Sequence, residues 1–74
     1  MAKIEKIIEK MKNQPKGITF AEIKKVLEHN GFEVVRIKGS HYQFRNEQGL
    51  LTTVKRENPV DIQAVKDALE RMGL

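Results

Sequence analysis

The sequence contains no cysteine and only two histidines among its 74 residues. Without cysteine, the chain has neither a disulfide bond nor a cysteine-based zinc site, and this composition fits a reducing cytosol. The two histidines do not form an H-x-x-x-H motif, and the acidic residues lack the spacing of paired ligands. We therefore predict no metal site and no cofactor, and we expect stability to come from ordinary packing.

Long hydrophobic runs are also missing. Charged residues interrupt the apolar ones throughout residues 1–14, which excludes a signal peptide or a membrane span at this position. We therefore expect a soluble, cytoplasmic protein. A chain of 74 residues is short enough for one domain, residues 1–74, with a small core.

The positive charge is concentrated in one part of the chain. Between residues 34 and 56 there are five basic side chains and a single acidic one, Glu47, which accounts for the whole net charge of +4. The basic residues are Arg36, Lys38, Arg45, Lys55 and Arg56. A stretch of this kind indicates a polyanionic partner.

Two helices are predicted before this basic stretch. Apolar residues recur at helical spacing from Ile4 to Met11, which predicts an amphipathic helix over residues 3–13 that packs on a neighbour. Thr19 and Glu22 have the spacing of a capping box and predict a second helix over residues 20–30. Gly31 is suited to end it, with Phe32 folding back on Leu27.

A last helix is predicted near the end of the chain. Asp61 is a candidate N-cap, and the Asn58-Pro59 pair is a rival start. We expect Gly73 to end this helix. Its predicted apolar side consists of Ile62, Val65, Leu69 and Met72.

From Glu33 onward the apolar residues alternate with polar ones, which predicts strands. Gly39-Ser40 suits a two-residue type II′ turn, and Glu47-Gln48-Gly49 suits a three-residue loop. The first turn pairs Lys38 with His41, Ile37 with Tyr42, Arg36 with Gln43 and Val35 with Phe44. The second pairs Asn46 with Leu50, Arg45 with Leu51, Phe44 with Thr52, Gln43 with Thr53, Tyr42 with Val54 and His41 with Lys55.

These elements predict an α+β fold of order α-α-β-β-β-α, a three-stranded antiparallel meander with its helices on one face. The apolar face carries Val35, Ile37, Tyr42 and Phe44, and the other face is cationic and open. On that open face we expect His41 to lie between Lys38 and Lys55, while Leu51 is its one apolar residue.

The predicted position of His41 suits chemistry on a phosphate. Two neighbouring ammonium groups disfavour a charged imidazole, so they favour the neutral form that accepts a proton. RNA cleavage requires little more, because the attacking 2′-hydroxyl belongs to the substrate. An ordinary surface histidine is the alternative, and His29 is interpreted in that way at a helix end. A serine triad and a P-loop are both poorly supported around Ser40.

The segment "GFEVVRIKGSHYQF", followed by a third strand and a final helix, resembles the HicA toxin (YcfA-like) family of bacterial mRNA interferases. The shared features are a helix ending in Gly-Phe, a strand with an arginine, Gly-Ser-His and an aromatic strand. The resemblance runs from about Thr19 to Leu74, with residues 1–16 as an N-terminal helical extension.

The resemblance implies a fold similar to the double-stranded RNA-binding domain and a catalytic role for His41. It also implies a toxin whose active face is covered by a HicB-like antitoxin. Many members carry a Pro-x-His motif after the third strand, where this chain reads "VKRENPVD". If that second histidine assists catalysis in relatives, either Lys55 or Arg56 replaces it here or activity is reduced.

Three functions remain open from the sequence. The first is a metal-independent ribonuclease with His41 as general base or acid, in which Arg36, Lys38 and Lys55 bind phosphate. The Gly39 or Ser40 backbone N–H would add a donor, and Arg45 and Arg56 would extend the cationic track. The second is a non-catalytic RNA-binding module. The third is a protein whose cationic face only docks an acidic partner.

Overall fold

The computed structural model describes residues 4–74, so Lys3, the first residue of the predicted N-terminal helix, lies outside the described part. The order of elements is α-α-β-β-β-α, as predicted. Their bounds are α1 Ile4–Asn13, α2 Phe20–His29, β1 Glu33–Lys38, β2 His41–Arg45, β3 Leu51–Lys55 and α3 Ile62–Met72.

The three strands form one antiparallel sheet in the order β1-β2-β3. The side chains of Phe44 and Val54 are fully buried on one face, where α3 packs against β3. The ring of Phe20 at the start of α2 contacts that of Tyr42, with centroids 4.8 Å apart. The helices therefore cover this inner face, and the alternate residues of the strands form an outer face.

Helix α1 is part of the core. Ile7 and Met11 are buried, Ile8 packs against the core, and the helix contacts both α2 and α3. The predicted packing of this helix on neighbouring elements is confirmed.

Helix α2 begins and ends with the predicted caps. The hydroxyl of Thr19 accepts from the Glu22 backbone N–H at 3.2 Å, and the Glu22 carboxylate accepts from the Thr19 backbone N–H at 3.0 Å. This second bond is the main cause that lowers the pKa of Glu22 below its ordinary value. At the other end Gly31 has φ +86°, and the Phe32 N–H donates to the Leu27 carbonyl.

Most of the predicted strand register is confirmed. Lys38, Ile37 and Arg36 pair with His41, Tyr42 and Gln43, and all five predicted pairs between β2 and β3 are present. Gly39 has φ +60° and Ser40 does not have a positive φ, as a type II′ turn requires. In the second loop Gly49 has φ +82°, and the Asn46 N–H donates to the Leu50 carbonyl.

The prediction is wrong at Val35. Phe44 pairs with Val34, because a bulge places one extra residue between Val34 and Arg36. The extra residue restores the alternation that the core needs: Val34 packs against the core, and Val35 is 47 % exposed. Ile37 pairs with Tyr42 as predicted but is also more than half exposed, at the edge of the sheet.

The apolar side of α3 also differs from the prediction. Ile62, the first residue of the helix, is exposed. Ala68 within the helix and Val60, which lies two residues before it, are buried. Val65, Leu69 and Met72 pack in the core region as expected. Asp61 occupies the N-cap position but its side chain makes no capping hydrogen bond, and Gly73 ends the helix with φ +74°.

Candidate nucleic-acid interface

His41 is the first residue of the central strand and lies on the outer face of the sheet. Lys38 of β1 is its register partner on one side and Lys55 of β3 is its partner on the other. All three side chains are exposed. Directly opposed residues have Cβ atoms about 4.5–5.5 Å apart, so the imidazole lies between two flexible ammonium side chains.

The turn beside this row is held by the end of β3. The Arg56 N–H donates to the Ser40 carbonyl at 2.6 Å, which extends the pairing one step past the strand. Within residues 4–74 the backbone N–H groups of Gly39 and Ser40 donate no hydrogen bond. Both remain available to an acceptor on a ligand, next to His41.

One acidic side chain reaches the row that contains His41. The carboxylate of Glu57 lies 3.5 Å from the ammonium of Lys55, and both side chains are substantially exposed. Glu57 lies one residue beyond the basic stretch of residues 34–56, so the predicted cationic face did not include it. The spacing of Lys55 and Glu57 could have indicated this contact, because residues two apart in an extended chain point to the same side.

Two further rows cross the outer face along β2. The middle row consists of Arg36, Gln43 and Thr53, and the far row consists of Glu33, Arg45 and Leu51. Arg36 and Arg45 therefore share the face with His41, in separate rows. The bulge at Val35 brings Glu33 opposite Arg45, so the far row has an acidic residue that the predicted register did not place there.

Arg56 differs from the other predicted cations. It follows Lys55 directly, so strand alternation directs it away from the outer face, although it is exposed. The predicted site residues Lys38, Gly39, Ser40, His41 and Lys55 are brought together at one end of the sheet, whereas Arg56 borders this group.

The connection between β3 and α3 is hydrogen-bonded to the segment at the start of α2. The side-chain oxygen of Asn58 accepts from the Phe20 N–H at 2.8 Å, and the Val60 N–H donates to the Ile18 carbonyl at 2.7 Å. These bonds tie the connection to the start of α2. This connection contains no histidine.

Within residues 4–74, no group of three or more His, Asp or Glu side chains is arranged to hold a metal ion. The helices in this part of the chain are all too short or too polar to cross a membrane.

The family described as "HicA toxin of bacterial toxin-antitoxin" matches residues 20–74, which is well over half of the chain. No curated protein and no solved structure matches. The likeness to the double-stranded RNA-binding domain therefore stays a prediction. The matched segment contains the whole sheet, both turns and the row centred on His41. The chain belongs to the HicA toxin family of bacterial toxin–antitoxin systems.

Proposed function

We propose that this toxin is an mRNA interferase, a ribonuclease that cleaves messenger RNA without a metal ion and uses His41 to move protons. The observation that carries the proposal is the exposed row of Lys38, His41 and Lys55 on the face opposite the helices. A phosphate placed against this row meets positive charge on both sides of a group that can exchange a proton.

The proposed reaction begins with the 2′-hydroxyl of the RNA attacking the adjacent phosphate. As the 2′-oxygen forms its bond to phosphorus, the bond between phosphorus and the 5′-oxygen breaks. His41 acts as general base for the 2′-hydroxyl or as general acid for the departing 5′-oxygen, and water exchanges the other proton. Lys38, Lys55 and Arg36 neutralise the phosphate, while the free N–H groups of Gly39 and Ser40 add donors for the oxygens whose charge grows. Because DNA lacks the 2′-hydroxyl, it is bound but not cut.

The expected partner is an antitoxin, which the family assignment implies in general terms. We propose that it is HicB-like, that it covers the outer face, and that it presents acidic side chains to the cationic rows. Arg45 and Arg56 are proposed to extend the cationic track that the RNA follows. We propose that the protein acts in the cytoplasm, where messenger RNA is available.

A non-catalytic RNA-binding module is the second candidate function. It is favoured by the connection after β3, which has no histidine and whose Asn58 is engaged with α2. In this case the same outer face binds RNA with a strong dependence on salt, but no product forms.

The two functions are separated by incubating purified protein with labelled RNA in excess chelator. Cleavage is expected for the natural protein and its loss for His41→Ala, with an unchanged thermal unfolding curve. His29→Ala is the matched control, because His29 is exposed on α2, away from the outer face. Unchanged cleavage by His41→Ala would rule out the role given to His41. Binding without any product would favour the second candidate.

A further inference from the structure

The far end of the outer face combines a cation with an apolar side chain. Arg45 of β2 and Leu51 of β3 are register partners, and both are exposed. Leu51 retains 42 % of its surface in contact with water, although the core lies on the other face of the same strand. Neither residue has a role in the chemistry proposed at His41.

This pair lies on the same strand face as His41 and at a defined distance from it. Arg45 follows His41 by four residues along β2, which corresponds to about 14 Å at about 3.4 Å per residue. Successive phosphates of one strand of double-stranded DNA advance about 3.4 Å along the helix axis. The span therefore corresponds to about four nucleotides in duplex geometry and to fewer in an extended strand.

The surface between the two ends is suited to a polar chain. Gln43 and Thr53 lie in the middle row and offer hydrogen-bonding side chains without charge, while Arg36 flanks them. The outer face therefore runs from the row of Lys38, His41 and Lys55, through Gln43 and Thr53 with Arg36 beside them, to Arg45 beside Leu51. Proteins that bind single strands combine cations that follow the phosphates with aromatic side chains on which bases stack. Here the apolar contact would come from the aliphatic side chain of Leu51, which a base can cover without stacking.

Arg45 is free to contact a phosphate. Within residues 4–74, the carboxylates form four ion pairs, and none of them involves Arg45. Glu33 is its register partner on β1 and reduces the local positive potential without engaging the guanidinium. A base that covers Leu51 would remove apolar surface from water, which is favourable by itself.

We propose that Arg45 and Leu51 form a second nucleotide subsite for single-stranded RNA, with Arg45 on a phosphate and Leu51 against an unpaired base. The strand runs along β2 and reaches this subsite only when it extends past His41. The inference rests on the proposed function for the position of the reacting phosphate. It assigns the substrate a minimum length and an unpaired segment next to the cleavage position.

The test compares the binding of short and long oligonucleotides that cannot be cleaved. The probes are a 2′-O-methylated dinucleotide and a hexanucleotide of the same type, titrated at several salt concentrations and followed by NMR chemical shifts. For the hexanucleotide, Arg45→Gln is expected to reduce the salt slope by about 0.7, the value of one phosphate contact on a single strand. Leu51→Thr is expected to weaken hexanucleotide binding about three- to eightfold, if the base covers the exposed part of Leu51. Dinucleotide binding stays unchanged in both variants.

Lys25→Gln is the matched control, because Lys25 is an exposed cation on α2 and not on the sheet. An equal loss in this control, or an equal loss for both oligonucleotide lengths, would overturn the subsite. So would variants that lose affinity only for a co-expressed antitoxin, since Arg45 and Leu51 would then dock a protein. The binding measurement does not depend on cleavage, so an inactive natural protein would contradict the proposed function and leave the subsite test intact.

Discussion

The ammonium group of Lys55 lies 3.5 Å from the carboxylate of Glu57, while the same lysine is the register partner of His41. Lys55 thus has an internal counter-ion on the face proposed to bind RNA. A phosphate that contacts Lys55 must compete with Glu57 for the ammonium. An exposed pair of this kind contributes little to stability, so we expect its main effect to be on binding.

We therefore predict that Glu57→Gln binds RNA more tightly than the natural protein. An exposed ion pair contributes about 0.2–1 kcal/mol, so the expected gain is about one-and-a-half- to fivefold in affinity. The measurement is the Kd for a 2′-O-methylated oligonucleotide. Glu9→Gln, on the exposed side of α1, removes the same charge elsewhere and serves as the control. Equal gains in the two variants would show that only net charge matters.

The capping box of α2 predicts a dependence of stability on acid pH. The Thr19 N–H holds the pKa of Glu22 below its ordinary value of 4.5. A carboxyl whose pKa is lower in the folded state stabilises the fold fully above its unfolded pKa, and this contribution is lost as the pH falls through the folded pKa. Glu22→Gln keeps an acceptor for the same N–H but does not titrate.

The expected result is that the free energy of unfolding of the natural protein exceeds that of Glu22→Gln near neutral pH. The difference should shrink as the pH falls below about 4.5. Urea unfolding at a series of pH values measures it, with Glu9→Gln as the control for general charge effects. A difference that does not change with pH would contradict the role of the ionised carboxylate.

A side-chain hydrogen bond joins β3 to α3. We predict that removing its acceptor costs more stability than removing its donor. Thr52 is almost fully buried, and its hydroxyl donates to the Asp67 carboxylate at 2.9 Å. Asp67→Ala leaves this hydroxyl buried without a partner, which costs about 1–3 kcal/mol. Thr52→Val replaces the hydroxyl with a methyl group, and the partly exposed Asp67 can turn to water, so the cost should be smaller.

Chemical denaturation of the two single variants and of the double variant measures these losses in the free energy of unfolding. The double variant is expected to be close in stability to Thr52→Val alone, because the unpaired hydroxyl is no longer present. Strictly additive losses would show that the two side chains act independently.

Helix α1 predicts that the domain depends on residues that precede the family match. The matched segment begins at residue 20, yet Met11 is fully buried in the shared core. We expect Met11→Ala to lower the free energy of unfolding by about 2–5 kcal/mol, because it creates a cavity between α1 and its neighbours. The neighbouring exposed Lys12→Ala should change it by less than about 0.5 kcal/mol. A small effect of Met11→Ala on the thermal midpoint would instead make α1 a dispensable addition.

The sequence predicted the parts of the fold that depend on local chemistry. The caps at Thr19 and Gly31 and the turns at Gly39 and Gly49 each depend on a few adjacent residues, and the structure confirms them. The alternation correctly predicts the first three pairs of β1 with β2, counted from the Gly39 turn to the pair of Arg36 and Gln43. This was sufficient to place His41 between Lys38 and Lys55.

The errors arise where distant packing decides between similar residues. Val34 and Val35 are adjacent and chemically identical, so the sequence does not indicate which one joins the core. The strand bulges to bring Val34 inward, and this choice also moves Glu33 opposite Arg45. Ile62 fits the helical apolar pattern, but the buried positions there are taken by Val60 and Ala68. The contact between Glu57 and Lys55 lies beyond the predicted strand end.

The hydrogen bond from the Phe20 N–H to Asn58 couples the connection after β3 to the first turn of α2. Rebuilding that connection, for instance to graft a second histidine beside the sheet, would remove the acceptor for a backbone donor near the capping box. Such a graft would therefore need a replacement acceptor at the start of α2, or any gain in chemistry would be masked by a loss of folded protein.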